Sequence, residues 1–141
     1  MDTLKKLLIV EDEPMIRKAL VEQFSGEKNL TVMSAKDGKE GLTSAMREHP
    51  DFILLDIIMP IMNGLEMLNE LRKDEWGKTA QVMILSNLAD TEKKAEASAQ
   101  GVKYFIIKSN VNVSAIMKKV LDAMDGKEVE DEETESDGGE M

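Results

Sequence analysis

The sequence predicts an α/β protein in which a five-stranded parallel sheet lies between two layers of helices. Three observations carry this. Four continuous apolar runs, residues 7–10, 52–55, 82–85 and 104–107, have the length expected of strands buried on both faces. Segments with helical apolar spacing separate them, and such alternation implies right-handed crossovers and a parallel sheet. With 141 residues, 42% of them hydrophobic, the chain suits one domain with an ordinary core.

After the first run, Glu13 and Pro14 open a helix, with proline in the first turn where its missing N–H is tolerated. Ile16, Ala19, Leu20 and Phe24 recur at helical spacing, and Gly26 is expected to stop it. Residues 30–35 read as the second strand, with Leu30, Val32 and Met33 inward. Asp37-Gly38 makes a turn, Leu42, Ala45 and Met46 give the next helix its apolar face, and His49-Pro50 ends it. The third strand, residues 52–56, leads into a loop containing Met59-Pro60. Gly64 then opens a helix with Leu65, Leu68 and Leu71 inward. A polar connection containing Trp76 precedes the fourth strand, residues 81–85. The helix over about residues 91–100 has only small apolar residues, so it should be weakly held, and Gly101 ends it. The fifth strand is residues 104–107. The last helix carries Val113, Ile116, Val120 and Met124 on one face and closes at Gly126.

The simplest layout for this alternation is a flavodoxin-like (βα)5 three-layer sandwich with strand order 2-1-3-4-5. Residues 1–124 should form the domain. Residues 125–141 read as an acidic, disordered tail with too little apolar surface to pack. The net charge of −10 is uneven, because that tail holds nine acids against one lysine, a balance of −8. Neither part offers the basic surface that nucleic acid requires. No apolar stretch approaches a membrane span, and the absence of cysteine excludes disulfides and thiolate metal sites. The expectation is a cytoplasmic protein that binds neither nucleic acid nor membrane.

Ligands of open α/β sheets bind beyond the carboxyl ends of the strands. The four runs end there in Glu11-Asp12, Asp56, Ser86 and Lys108. Three carboxylates, a hydroxyl and an ammonium at one edge can hold a divalent cation and a phosphoryl group. Asp56 is the candidate phosphoacceptor; it must be ionised to attack phosphorus, and a nearby cation keeps it so. The plainer reading of an aspartate here is a helix or turn cap. Glu11 and Asp12 are hard oxygen ligands that suit Mg²⁺. An acidic helix start interacting with the dipole is the plainer reading, and it fits Glu13 better. Ser86 also reads as a strand-end cap. A merely solvated Lys108 is out of place directly after a buried run.

These residues stand in motifs that resemble the receiver domain of two-component response regulators. The motifs are Val10-Glu11-Asp12-Glu13, Leu55-Asp56 followed by Met59-Pro60 and Asn63-Gly64, Leu85-Ser86-Asn87, and Ile107-Lys108, and the resemblance covers roughly residues 4–124. It implies transfer of a phosphoryl group to Asp56 from a phosphohistidine on a sensor histidine kinase or phosphotransfer protein. It implies that Mg²⁺ is held directly by Asp12, Asp56 and the backbone carbonyl of Ile58, with Glu11 acting mainly through water. Ser86 and the backbone N–H groups of Ile58 and Asn87 would cradle the phosphoryl oxygens, and Lys108 would pair with their charge. Ser86 and Phe105 would form the switch, although Phe105 also reads as simple core packing. One residue departs from the pattern: Ser109 follows Lys108 where the family usually has proline, often with a cis bond. A cis peptide before a non-proline residue costs about 3 kcal/mol, so trans is expected.

The function expected is a stand-alone, phosphorylation-switched binding module that catalyses at most its own phosphorylation and dephosphorylation. It would act on an unidentified protein target as a monomer or a phosphorylation-dependent dimer. The alternatives are a receiver cut from a longer regulator, a pseudo-receiver that binds without phosphorylation, and a phosphatase of the haloacid dehalogenase type. The last needs a second aspartate where Ile58 stands. His49, the only histidine, and Trp76 are read as structural.

Overall fold

A computed structural model of the chain describes residues 4–87, 91–108, 112–127 and 129. The elements follow in the order β1 (Lys5–Val10), α1 (Pro14–Ser25), β2 (Leu30–Ala35), α2 (Gly38–Glu48), β3 (Phe52–Asp56), α3 (Gly64–Arg72), β4 (Val82–Ser86), α4 (Thr91–Ala99), β5 (Tyr104–Ile107) and α5 (Val113–Met124). The strands are all parallel, in the order β2-β1-β3-β4-β5. This is the flavodoxin-like arrangement that the alternation predicted.

Because strand side chains alternate between faces, each apolar run feeds two cores. Leu8, Val10, Ile53, Leu55, Val82 and Ile84 point to the side covered by α2, α3 and α4. Leu7, Ile9, Phe52, Leu54, Met83, Leu85 and Ile106 point to the side covered by α1 and α5. The helices contribute unequally. α3 buries Met67, Leu68 and Leu71 and leaves Leu65 half-exposed. α5 buries Ile116, Val120 and Ala123, whereas α4 buries only Ala97.

Helix ends follow local chemistry. The Asp37 side chain accepts from the Glu40 N–H at the start of α2. Asn63 and Glu66 form a reciprocal capping box on α3. Asn112 caps α5 through the Ala115 N–H. Gly126 closes α5 at φ 79°, and the Lys127 N–H donates to the Asp122 carbonyl. Gly26 differs from expectation: at φ −80° it stays right-handed, and the positive φ of that connection, 64°, falls on Asn29. β4 starts and ends one residue later than expected, so Ser86 lies inside the strand. Val129, in the segment read as tail, packs half-buried against the core on the α1–α5 side. Among the described residues no helix is long and apolar enough to cross a membrane.

Candidate functional site

The carboxyl edge of the sheet gathers the polar residues that end the strands. Glu11 continues the line of β1, its N–H donating to the Ala35 carbonyl, and is buried. Asp12 follows, half-buried. The Arg17 guanidinium reaches back from the first turns of α1 and donates to the carbonyls of Glu11 and Asp12, at 2.9 and 3.3 Å. That brace fixes the turn carrying both acids. Asp56 closes β3, the central strand, and is only 3% exposed.

Lys108 leaves β5 and turns its side chain into this group. Its Nζ lies 2.9 Å from Glu13 Oε1, 3.0 and 3.1 Å from the two oxygens of Glu11, and 3.2 Å from Asp56 Oδ2. One ammonium therefore faces three carboxylates, with Asp12 a fourth acid close by. Carboxylate oxygens of Glu11, Asp12 and Asp56 all lie within 4.8 Å of one another. Burial first, and the Glu11 carboxylate second, push the Asp56 carboxyl up to about 7; the Lys108 charge offsets only part of this. Burial works against the Lys108 charge, but hydrogen bonds to Glu13 and Glu11 outweigh it and hold the ammonium above its ordinary range. The site has more acid than one lysine neutralises.

Glu11 Oε1 shows this most directly. The Lys108 ammonium is near enough to attract it, but its hydrogen bond goes to Oε2. Among the described residues, Oε1 is a buried oxygen with no hydrogen-bond partner. An oxygen held by charge alone, without a hydrogen bond, leaves part of its desolvation penalty uncompensated. A divalent cation among the three acids would remove that penalty and lower the mutual repulsion. The donor set is hard oxygen throughout, which fits Mg²⁺.

The loop after Asp56 is tightly determined. The Gly64 N–H donates to the Ile57 carbonyl at 2.8 Å, and the Gly38 N–H donates to the Met62 carbonyl at 2.9 Å. A Cβ on Gly64 would collide with the Asp56 carbonyl oxygen, and one on Gly38 with the Met62 carbonyl oxygen. Between these anchors the Met62 N–H donates to the Pro60 carbonyl across a γ-turn centred on Ile61, whose φ is 70°. A β-branched residue is strained there. Ile58 and Ile61 on this loop, and Met15 at the start of α1, are exposed apolar side chains, at 53%, 77% and 84%.

Ser86 ends β4 one residue beyond the Leu85 that pairs with Asp56, is buried, and pairs in register with Ile107. Asn87 follows and is exposed. Phe105 is half-buried and packs against the core on the α4 side, with the Lys94 ammonium of α4 5.2 Å from its ring centroid. Ser109 lies outside the described residues, so the expectation about its peptide bond is not addressed by the structure. Sequence reasoning missed two participants. Glu13, read as a helix-dipole acid, pairs with Lys108; Arg17 carried no signal beyond its distance from the acids along α1.

A flavodoxin-like sheet with an acidic, lysine-bearing pocket at its carboxyl edge defines the class of the molecule. Residues 7–121 match the family described as response regulator receiver domain. The chain belongs to that family, whose members are signalling modules that work with histidine kinases or phosphotransfer proteins. Among solved structures it resembles chemotaxis response regulator CheY4 of Vibrio cholerae, with 30% identity, a TM-score of 0.74, and coverage of 86% of this chain and 99% of that one. Among curated relatives it is 33% identical over 103 residues to two-component response regulator PhoP of Pseudomonas aeruginosa, covering 73% of this chain and 44% of the relative. It is 32% identical over 123 residues to probable transcriptional regulator ycf27 of Porphyridium aerugineum, covering 86% and 50%. The chain thus spans half or less of the length of these curated relatives.

Proposed function

We propose that this receiver domain accepts a phosphoryl group on Asp56 in a Mg²⁺-dependent reaction and that the added charge switches a protein-binding surface. The observation that supports this most is the cluster of Glu11, Asp12 and Asp56, with Lys108 Nζ 3.2 Å from Asp56 and Glu11 Oε1 lacking a hydrogen bond among the described residues. Residues 1–124 act as the receiver and residues 125–141 as an acidic tail, in the cytoplasm.

An oxygen of ionised Asp56 attacks phosphorus. The new P–O bond forms as the P–N bond of the donor phosphohistidine breaks, and the imidazole leaves. Glu11, Asp12, Asp56 and the Ile58 carbonyl would hold Mg²⁺, which would supply charge neutralisation for the transferring group. The Asp56 carboxyl, at about 7 in the protein alone, is only partly ionised near neutrality. A cation among the acids would shift it toward the carboxylate. Lys108 neutralises the arriving negative charge, while the Ser86 hydroxyl and the Ile58 and Asn87 N–H groups donate to its oxygens. Met15, Ile58 and Ile61, exposed on the segments that follow Asp12 and Asp56, offer apolar surface to a donor that must seal the site from water. Downstream, Ser86 and Phe105 respond to the phosphoryl group and α4 shifts, since only Ala97 is buried along it. Isoleucine at position 58 removes the second aspartate that a haloacid dehalogenase-type phosphatase requires.

Intact mass after incubation with acetyl phosphate and Mg²⁺ tests this. The wild type should gain one phosphoryl group, and neither Asp56→Asn nor chelated wild type should gain any. An equal gain in Asp56→Asn would place the acceptor elsewhere.

A further inference from the structure

Lys108 has three carboxylate partners, and they are not equivalent. Glu11 and Asp56 belong to the cluster that can hold a cation; Glu13 does not. Glu13 occupies the N-cap of α1, where a short polar side chain such as aspartate ordinarily accepts from a first-turn N–H. It makes no such bond. Its carboxylate instead reaches Lys108 Nζ at 2.9 Å, the shortest of that ammonium's contacts, while its own N–H donates to Glu11 Oε2 at 3.0 Å. Glu13 therefore forgoes capping its own helix and ties the lysine and the buried acid together.

We infer that Glu13 is a positioning residue: the counter-ion that retains Lys108 when Glu11 and Asp56 turn their oxygens to Mg²⁺. This rests on the reading of the site given above and adds a role for a residue outside the ligand set. An ammonium and a divalent cation compete for the same oxygens and repel each other. The Lys108 side chain is 7% exposed, so losing both Glu11 and Asp56 would leave its charge buried without a partner. Glu13, 52% exposed and already in place, remains available. It lets Lys108 yield the buried oxygens without leaving the pocket, and so keeps the ammonium within reach of the incoming phosphoryl group. Glu13 thereby favours metal binding through Lys108 rather than by touching the metal.

Calorimetric titration of the full chain with Mg²⁺ alone tests this in wild type, Glu13→Gln, Lys108→Met and the double variant. Glu13→Gln should weaken Mg²⁺ binding about threefold to fivefold, the range of a partly exposed ion pair. The same change should have almost no effect when Lys108 is already methionine, because the coupling runs through the lysine. Glu13→Asp, which keeps the charge on a shorter arm, should recover part of the loss. An equal loss in both lysine backgrounds would show that Glu13 acts only as a distant negative charge, and no loss in Glu13→Gln would remove the role altogether; either overturns the inference. A wild type that takes up no Mg²⁺ would overturn the reading of the site itself and this inference with it.

Discussion

At the carboxyl edge of the sheet Lys108 meets Glu11, Glu13 and Asp56, and at the opposite edge Lys6 meets Glu48. The residue types are the same, but the Lys108 side chain is 7% exposed and that of Lys6 45%. Glu48 also pairs with Arg47; hydrogen bonds from Arg47 and then Lys6 hold its carboxyl below the ordinary value. Burial and the neighbouring Glu11 instead push Asp56 up to about 7. At the open edge, water and two cations leave a carboxylate content. At the buried edge, three carboxylates share one ammonium with Asp12 close by, and charge balance is incomplete. Burial of like charges, rather than the mere presence of a lysine with acids, distinguishes a cluster that could hold a cation from an ordinary surface pair.

The sharpest way to separate the two edges is to remove each lysine. Lys108→Met should slow phosphorylation by acetyl phosphate about 100-fold or more, the scale of losing one charge-stabilising donor. It should also raise the Asp56 pKa further, readable by carboxyl ¹³C titration. Lys6→Met should leave both unchanged; a comparable loss there would mean that the edges are not distinct. A smaller effect is expected from two glycines. Gly64→Ala sets a Cβ against the Asp56 carbonyl oxygen and should destabilise by about 1–3 kcal/mol in urea unfolding. Gly26→Ala, at φ −80° with its nearest neighbour 3.8 Å away, should be neutral or slightly stabilising.

A further effect concerns pH. The Asp56 pKa is raised from 3.8 to about 7 on folding, so its contribution to stability is fully present below about pH 4 and is lost as pH rises through about 7. Glu48, lowered on folding, runs the other way: its contribution is present above its unfolded value and is lost as pH falls. In metal-free protein, the Tm of Asp56→Asn should therefore gain on wild type across pH 4 to 7, and a parallel pair of curves would refute the shift.

Much of the fold was legible because its signals are local. Runs such as residues 52–55 declare strands buried on both faces, and Asp37 and Asn63 announce helix starts by side chains that reach their own first turn. The strand-end positions of Asp56 and Lys108 followed from those boundaries. Other features were illegible because they join distant residues or defy local preference. Glu13 reads as a helix-start acid until a lysine 95 positions away meets it. Nothing local predicts a left-handed Ile61; bonds from Gly38 and Gly64 at the two ends of the loop impose it. His49 and Trp76, each read separately as structural, stack with ring centroids 4.3 Å apart at the edge remote from the acids.

Taken alone, the sequence determined the alternation of strands and helices, and with it the sheet edge where Glu11, Asp12, Asp56, Ser86 and Lys108 emerge. Apolar periodicity and capping are properties of neighbours along the chain. The tertiary structure alone decided how many carboxylates share Lys108, which oxygen of Glu11 lacks a hydrogen-bond partner, and why Asp56 resists ionisation while Glu48 does not. Those depend on burial and on distances between residues from different elements, which only the packed sheet sets.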